Sequence, residues 1–448
     1  MSDIRIQVPE KAKRIIDTIM NAGYEAYVVG GCVRDSVLGR EPNDWDITTS
    51  AKPEQVKALF SRTLDTGLQH GTVTIMDGKE GFEVTTYRID GEYEDSRHPK
   101  EVTFTSDLVE DLKRRDFTIN AMAYNDKDGL VDVFGGMEDM QAGIIRCVGD
   151  PRERFKEDAL RILRAVRFSA QLGYTIEEET RGAIREFAPN LANISAERIQ
   201  TELLKLLVSP NPDRMRDCYE LGTTAVFLPE LDVCMKTEQH HKHHMYTVGE
   251  HILHSLKEVP GDKVLRLSML FHDIAKPACL SVDGKGQTHF YGHPEKSAEM
   301  AKEILKRLKF DNDTIRKVCT LVRYHDYGMG VKPDMVKMRK FMNKAGEDAF
   351  PGFFQVRLAD IYAQSEYQKE EKLESLKQWE NMYREILDTN QCVSLKTLAV
   401  SGADLIASGM KPGREMGEVL QKLLDLVLAD PSLNEKEYLL QKAKELQV

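Results

Sequence analysis

Several absences narrow the reading of this 448-residue chain before any motif is considered. The seven cysteines are scattered and none forms a CxxC pair, which argues against a disulfide framework or a zinc knuckle and fits a reducing compartment. No window approaches the roughly 18 apolar residues of a membrane span. The opening stretch MSDIRIQVPEKAKR lacks the apolar core and cleavage site of a signal peptide, so a cytoplasmic protein with no membrane partner is expected. Neither internal repeats nor low-complexity segments occur. Positive charge is also in deficit, with a formal net charge of −11. That does not exclude nucleic acid, because phosphate binding depends on local clusters. Residues 152–167 hold Arg152, Arg154, Lys156, Arg161, Arg164 and Arg167 against three acids.

What is present has an ordinary globular composition, 41% hydrophobic and 30% charged, and enough length for two to four domains. Residues 1–150 read as mixed α/β. A helix is expected over 9–22, with Ile15, Ile16 and Ile19 on one face, and strands over 25–29, around 44–47, and over 71–76, 81–88 and 119–124. From about residue 150 helical periodicity takes over. The fold class expected is therefore α+β, an α/β head followed by a mostly helical body and tail. Ten of the twelve histidines fall between 240 and 325, which marks a separate site.

Three pieces of the head carry chemistry. Gly30-Gly31-Cys-Val-Arg34-Asp35 sits at a strand-to-helix turn, where glycines let backbone N–H groups approach a phosphate and Arg34 adds a charged fork. Asp44-Trp-Asp46 places two carboxylates on one face of a strand, suited to Mg²⁺, with Glu83 as a third carboxylate. About a dozen such acidic spacings are expected by chance, so the pair is weak alone. Arg114-Arg115-Asp116-Phe-Thr-Ile-Asn120 supplies arginines for phosphate or ribose, with Asp116 and Asn120 fixing the loop; its bland reading is a solvated basic turn.

The order GGCVRD, NDWDITT, RRDFTINAMA, DPRERFKEDALRILRAVRF resembles the class II tRNA nucleotidyltransferase and bacterial poly(A) polymerase superfamily, within the polymerase-β-like nucleotidyltransferases, over roughly residues 20–205. The resemblance implies that Gly31, Arg34 and Arg115 contact the incoming nucleotide, with Gly30 beside them, and that Asp44 and Asp46 hold catalytic metal. It also implies a nucleotide-selecting helix containing Asp158, Arg161, Arg164 and Arg167.

Residues 157–167 read as one helix with Phe155, Ala159, Ile162 and Val166 as the buried stripe, Arg161 and Arg164 opposite, and Asp158 one turn below Arg161. Ordinary surface ion pairs would explain that pattern. The sharper reading uses hydrogen-bond chemistry. A carboxylate only accepts and a guanidinium only donates, so side by side they complement an amino group next to a ring nitrogen. Cytosine and adenine present that edge; uracil and guanine present the reverse. A wrong base leaves polar groups unpaired, at about 1–3 kcal/mol each.

Thr66-Gly-Leu-Gln-His70-Gly resembles the tRNA-directed branch, and residues 93–99 (YEDSRHP) resemble the flexible-loop segment used in the switch to A addition. CCA addition to tRNA 3′ ends with CTP and ATP is the expectation; A-adding enzymes, poly(A) polymerases, signalling-nucleotide hydrolases and non-catalytic RNA-binding proteins are the alternatives. In the histidine-rich segment, His251, His272-Asp273, His293, His325 and Asp360 resemble the HD phosphohydrolase superfamily in order, which implies one or two divalent metals and RNA-end cleaning. Against that stands a degenerate domain kept as a spacer. His240, His241, His243 and His244 fall outside the pattern and read as a solvated loop, and His254 as packed against helix neighbours. The expected domains are a nucleotidyltransferase head (1–150), nucleotide-selecting neck and body helices (151–235), an HD domain (236–365) and a helical tRNA-binding tail (366–448). No oligomeric state is assigned.

Overall fold

The computed structural model describes residues 4–91 and 102–446. The flexible-loop segment at 93–99 lies outside them. The chain forms two compact units, Met1–Pro229 and Glu230–Val448.

The first unit is built on a seven-stranded sheet. Helix α1 (Glu10–Asn21) buries Ala12, Ile15, Ile16 and Ile19 on one face, and Gly23 (φ 92°) turns the chain out of it. Strand β1 (Ala26–Val29) is buried throughout and runs into helix α2 (Gly31–Val37). Strands β2 (Ile47–Thr49), β3 (Thr63–Gly67), β4 (Thr72–Asp77), β5 (Glu80–Thr86), β6 (Met122–Asn125) and β7 (Gly129–Asp132) complete the sheet in the order β3-β4-β5-β2-β1-β6-β7. β2 and β5 are parallel, Ile47 opposite Val84; the other neighbours are antiparallel. β1 is central, so both its faces are apolar. Tyr27 and Val29 pack with Tyr87, Leu108, Leu112, Ala121 and Ala123.

After the sheet come helices α3 (Pro151–Glu157), α4 (Leu160–Leu172) and α5 (Ala196–Leu207). The single helix expected over 157–167 is interrupted. Asp158 is extended (φ −141°, ψ 104°), and its carboxylate accepts from the backbone N–H of Leu160 at 3.0 Å. A short carboxylate competes with the backbone for N–H groups and caps the new helix instead of continuing the old one. The apolar stripe lies where expected, with Phe155, Ala159, Ile162 and Val166 inaccessible to solvent.

The second unit is helical apart from one short two-stranded ribbon. Helix α6 (Val248–Lys257) is capped by Thr247, α7 (Lys263–Phe271) by Asp262 and α9 (Asn312–Tyr324) by Asp311; α8 (His293–Arg307) begins with its histidine. α10 (Gly352–Tyr362) and α11 (Lys369–Asp388) follow. Because α7 and α9 end at His272 and His325, the chain delivers both imidazoles at helix C-termini in the buried interior. Among the described residues no helix is long and apolar enough to cross a membrane.

Candidate active sites

Asp44 and Asp46 lie just before β2 rather than within it, and both are exposed. The backbone carbonyl of Asp46 accepts from Val29 N–H at 3.0 Å, which ties this segment to β1. Ile47 pairs with Val84 at the start of the parallel ladder, which brings Asp46 and Glu83, the residues just before them, close enough for the Glu83 charge to act on Asp46. Desolvation raises the Asp46 carboxyl; Arg115 opposes the shift, and Glu83 and Asp44 add to it. Three acceptor-only groups thus crowd one edge, an arrangement that a cation relieves.

The Gly30-Gly31 turn faces the same place. Gly30 has φ 83°, a conformation natural to glycine, and a Cβ there would sit 3.1 Å from Arg115 Nη1. Arg115 pairs at 3.5 Å with Asp111, a fully buried carboxylate that also binds Arg114 at 2.9 Å and Thr48 at 3.1 Å. Asp111 gave no signal in the sequence, where it is one acid of an amphipathic helix.

A polar chain links this turn to α4. Arg34 donates to Asn120 Oδ1 at 2.7 Å, and Asn120 donates to Asp116 Oδ1 at 3.2 Å. Asp116 also accepts from Phe117 N–H at 2.9 Å and from Arg164 Nε and Nη2 at 2.8 and 2.6 Å. Burial raises the Asp116 carboxyl, but the charges of Arg164 and Arg161 and the hydrogen bonds from Arg164 and Asn120 outweigh it and bring it down to about 2. Three guanidinium groups, of Arg34, Arg164 and Arg167, lie 5.0, 5.4 and 3.9 Å from the centre of the Phe168 ring. Arg167 pairs with Glu202 of α5 at 2.5 Å.

Asp158 and Arg161 do not stand side by side on one helix as the sequence reading had them. Asp158 pairs with Arg198 of α5 at 2.7 Å. Arg161 pairs with Glu157 and donates to the carbonyls of Arg154 and Arg114 at 3.2 and 3.0 Å. Of the two arginines expected on the open face of α4, Arg164 is 33% exposed but Arg161 only 11%. Arg198 and Glu202 were missed because they sit some 40 residues downstream in an ordinary amphipathic helix.

The second unit gathers all six residues of the H…HD…H…H…D series. His251, His272 and Asp360 form one trio and Asp273, His293 and His325 another, each with ligand atoms within 4.8 Å of one another. The Nδ1 atoms of His272, His293 and His325 lie 2.7, 2.8 and 2.7 Å from the carbonyls of Met269, Phe290 and Val322, and that of His251 3.2 Å from Ala363 O. Donation from Nδ1–H leaves an Nε2 lone pair on each ring facing inward. His251 Nε2 then meets His272 Nε2 at 3.1 Å, and His293 Nε2 meets His325 Nε2 at 3.3 Å. The buried Asp273 carboxylate has Lys276 Nζ 2.7 Å from Oδ2 and His293 Nε2 3.2 Å from Oδ1. Imidazole nitrogens facing one another beside two buried carboxylates fit a divalent cation better than they fit one another. The Asp273 and Asp360 carboxyls are raised by burial, but their imidazole and cationic neighbours outweigh this and hold them well below the usual range.

His240 is exposed, as the solvated-loop reading expects, but the other three histidines of the segment depart from it. His241, His243 and His244 line the same cavity, together with Lys276, Asp326 and Gln364. The His244 ring stands 5.9 Å from that of His251. Burial, then Lys276 and His251, push His244 down to about 2, so it is neutral. His254 stacks on Tyr246 at 4.1 Å.

Three family models match along the chain. They describe a poly A polymerase head domain over residues 26–146, a "Probable RNA and SrmB- binding site of polymerase A" over 173–235, and a tRNA nucleotidyltransferase domain 2 over 289–443. A CCA-adding enzyme of Leuconostoc mesenteroides is 37% identical over 452 residues, covering 98% of each chain. One from Lactiplantibacillus plantarum is 55% identical over 203 residues, 45% of this chain and 50% of that one. The crystal structure of the Bacillus stearothermophilus CCA-adding enzyme in complex with CTP matches at TM-score 0.72 and 29% identity, covering 98% of both chains. A Thermotoga maritima CCA-adding enzyme complexed with tRNA shares the fold, at TM-score 0.61 and 21% identity, covering 99% of this chain and 100% of that one. With its head motifs in place around one carboxylate-lined turn and a relative matched end to end, this chain belongs to the family of CCA-adding enzymes.

Proposed function

We propose that the chain adds C, C and A to the 3′ end of tRNA from CTP and ATP, without a nucleic-acid template. The observation that carries this is the crowding of Asp44, Asp46 and Glu83 in front of the Gly30 turn and Arg115. Asp44, Asp46 and Glu83 would hold divalent metal, Mg²⁺ by family habit, which when bound lowers the pKa of the tRNA 3′-hydroxyl and neutralises the leaving pyrophosphate. The chain's own groups do the positioning. The N–H groups of the Gly30-Gly31 turn, with Arg34 and Arg115, receive the triphosphate. Asn120 and Asp116 hold Arg34 and Arg164 in register.

Base choice falls to Asp158 and Arg161, whose acceptor and donors match the amino and ring-nitrogen edge shared by cytosine and adenine. Both are occupied here, Asp158 by Arg198 and Arg161 by Glu157, so reading a base requires exchange of those partners. The tRNA body is gripped through shape and backbone, a role that suits the helical tail from residue 366. Primer extension on tRNA transcripts ending at the discriminator base or in CC tests this. CCA on the first supports it, A only on the second makes the chain an A-adding enzyme, and long A tails place it in the poly(A) branch.

A second reading concerns the histidine centre. The inward Nε2 atoms, converging with the buried Asp273 and Asp360 carboxylates in two trios, support a divalent-metal phosphohydrolase that trims RNA 2′,3′-cyclic or 2′-phosphates. Asp273→Asn would remove hydrolysis and spare nucleotide addition, and Asp46→Asn the reverse. Loss of both activities with either substitution would sink the assignment of separate sites.

A further inference from the structure

Beside the histidine-lined cavity lies a second one of about 380 Å³, bounded by Tyr327, Lys332, Arg357, Lys372 and Trp379. The two cavities share His243 and Met329 in their walls, so they adjoin. Lys372 of α11 donates to Gln364 Oε1 at 2.8 Å, and Gln364 donates to Asp360 Oδ2 at 3.0 Å. Lys372 is thus two hydrogen bonds from a residue of the histidine centre, with two ammonium N–H groups to spare. Neither Lys372 nor Lys332 has a carboxylate within ion-pair distance among the described residues, and Glu371 is the one acid in the wall. In a chain of net charge −11, a local excess of ammonium groups departs from the background.

A phosphoester bound at the histidine centre must place its ribose and what lies beyond somewhere, and this is the cavity that adjoins. Its volume falls within the roughly 300–1,000 Å³ of small-molecule sites. Tyr327, half-buried and stacked on Phe341 at 3.9 Å, offers a ring edge to a sugar, and the two lysines match an anion.

We propose that this annex binds a second phosphate of the hydrolase substrate, which is therefore a nucleotide bearing a 5′-side phosphate beside the one cleaved. The inference rests on the phosphohydrolase reading of the histidine centre. In the reaction, a water oxygen bonds to phosphorus and the phosphorus–ribose oxygen bond breaks. The ribose oxygen leaves as a hydroxyl with a proton from the water, so a cyclic phosphodiester becomes a monoester.

The test uses the full chain with Mn²⁺, Co²⁺ or Ni²⁺ and two mononucleotides, adenosine 2′,3′-cyclic phosphate with and without a 5′-phosphate. A short RNA ending in a 2′,3′-cyclic phosphate is the third substrate. The wild type should prefer the 5′-phosphorylated mononucleotide by at least tenfold in kcat/KM, mostly through KM. In Lys332→Gln and in the Lys332→Gln/Lys372→Gln pair that ratio should fall toward one. A higher rate on the RNA identifies an RNA end as the source of the second phosphate, a higher rate on the mononucleotide a free nucleotide; either sustains the proposal. Equal wild-type kcat/KM for the two mononucleotides, or a preference that survives both variants, overturns it. Hydrolysis of none of the three substrates with any of these metals overturns the phosphohydrolase reading itself, and the inference with it.

Discussion

Asp116→Asn changes one charge and almost no volume, and the structure says it should be costly. The carboxylate is 8% exposed and takes N–H donors from Phe117, Asn120 and twice from Arg164. An amide in its place turns an N–H toward one of those donors and removes a counter-charge from beside three arginines around Phe168. The fall of the Asp116 carboxyl from 3.8 to about 2 corresponds to about 2 kcal/mol of folding free energy. Breaking one side of a buried pair costs about 3–5 kcal/mol. At roughly 2–4 °C per kcal/mol for a unit of this size, melting should drop by about 10 °C. The chain's two tryptophans, Trp45 and Trp379, fall in different units, so in a Trp379→Phe background Trp45 fluorescence reports the first unit alone. The sign with pH follows from the lowered folded-state value. The stabilisation is complete above about pH 4 and is lost as pH falls through about 2, with about 1 kcal/mol gone at pH 3. A variant melting within about 2 °C of the parent at pH 7, or a gap that stays constant down to pH 3, would show that the Asp116 charge does not stabilise the first unit.

Three further outcomes are expected. Gly30→Ala forces a side chain into φ 83° and to 3.1 Å from Arg115, so KM for CTP and ATP should rise about tenfold with a stability loss of about 1–2 kcal/mol, read by single-nucleotide addition and melting. Arg198→Ala frees Asp158 from its 2.7 Å partner, and misincorporation of UTP or GTP, scored by sequencing of extended tRNA, should increase about tenfold. Chelation by EDTA should lower the Trp379-reported melt, and Mn²⁺ at about 100 times its dissociation constant should restore about 3 kcal/mol. A melt indifferent to both contradicts the metal reading of the histidine centre.

Much of the head was legible because its elements are local. The apolar spacing of α1 and the buried run of β1 point to their own structures, and the turn between β1 and α2 needs a glycine that the sequence displays. Glu83 could be named as a third carboxylate, and the parallel register explains its place. The ordered histidines and aspartates were equally visible, since helix C-termini deliver two of them. What escaped depends on long-range pairing. Asp158 breaks the helix that its neighbours' periodicity favours, because capping α4 and pairing with Arg198 outweigh propensity. Glu202 looks like a surface acid until Arg167 of α4 pairs with it, and Asp111, paired with its neighbours Arg114 and Arg115, until Thr48 of β2 packs onto it. The His241–His244 segment looks solvated, and only the fold brings three of its histidines to the wall of the cavity at the histidine centre.

The most direct test of the central claim is primer extension on a tRNA transcript ending at its discriminator base, with CTP and ATP, comparing wild type with Asp46→Asn. The wild type should add CCA, and only CCA, and the variant should not extend the transcript. A homopolymeric A tail, or addition that survives loss of the Asp46 carboxylate, would contradict that claim.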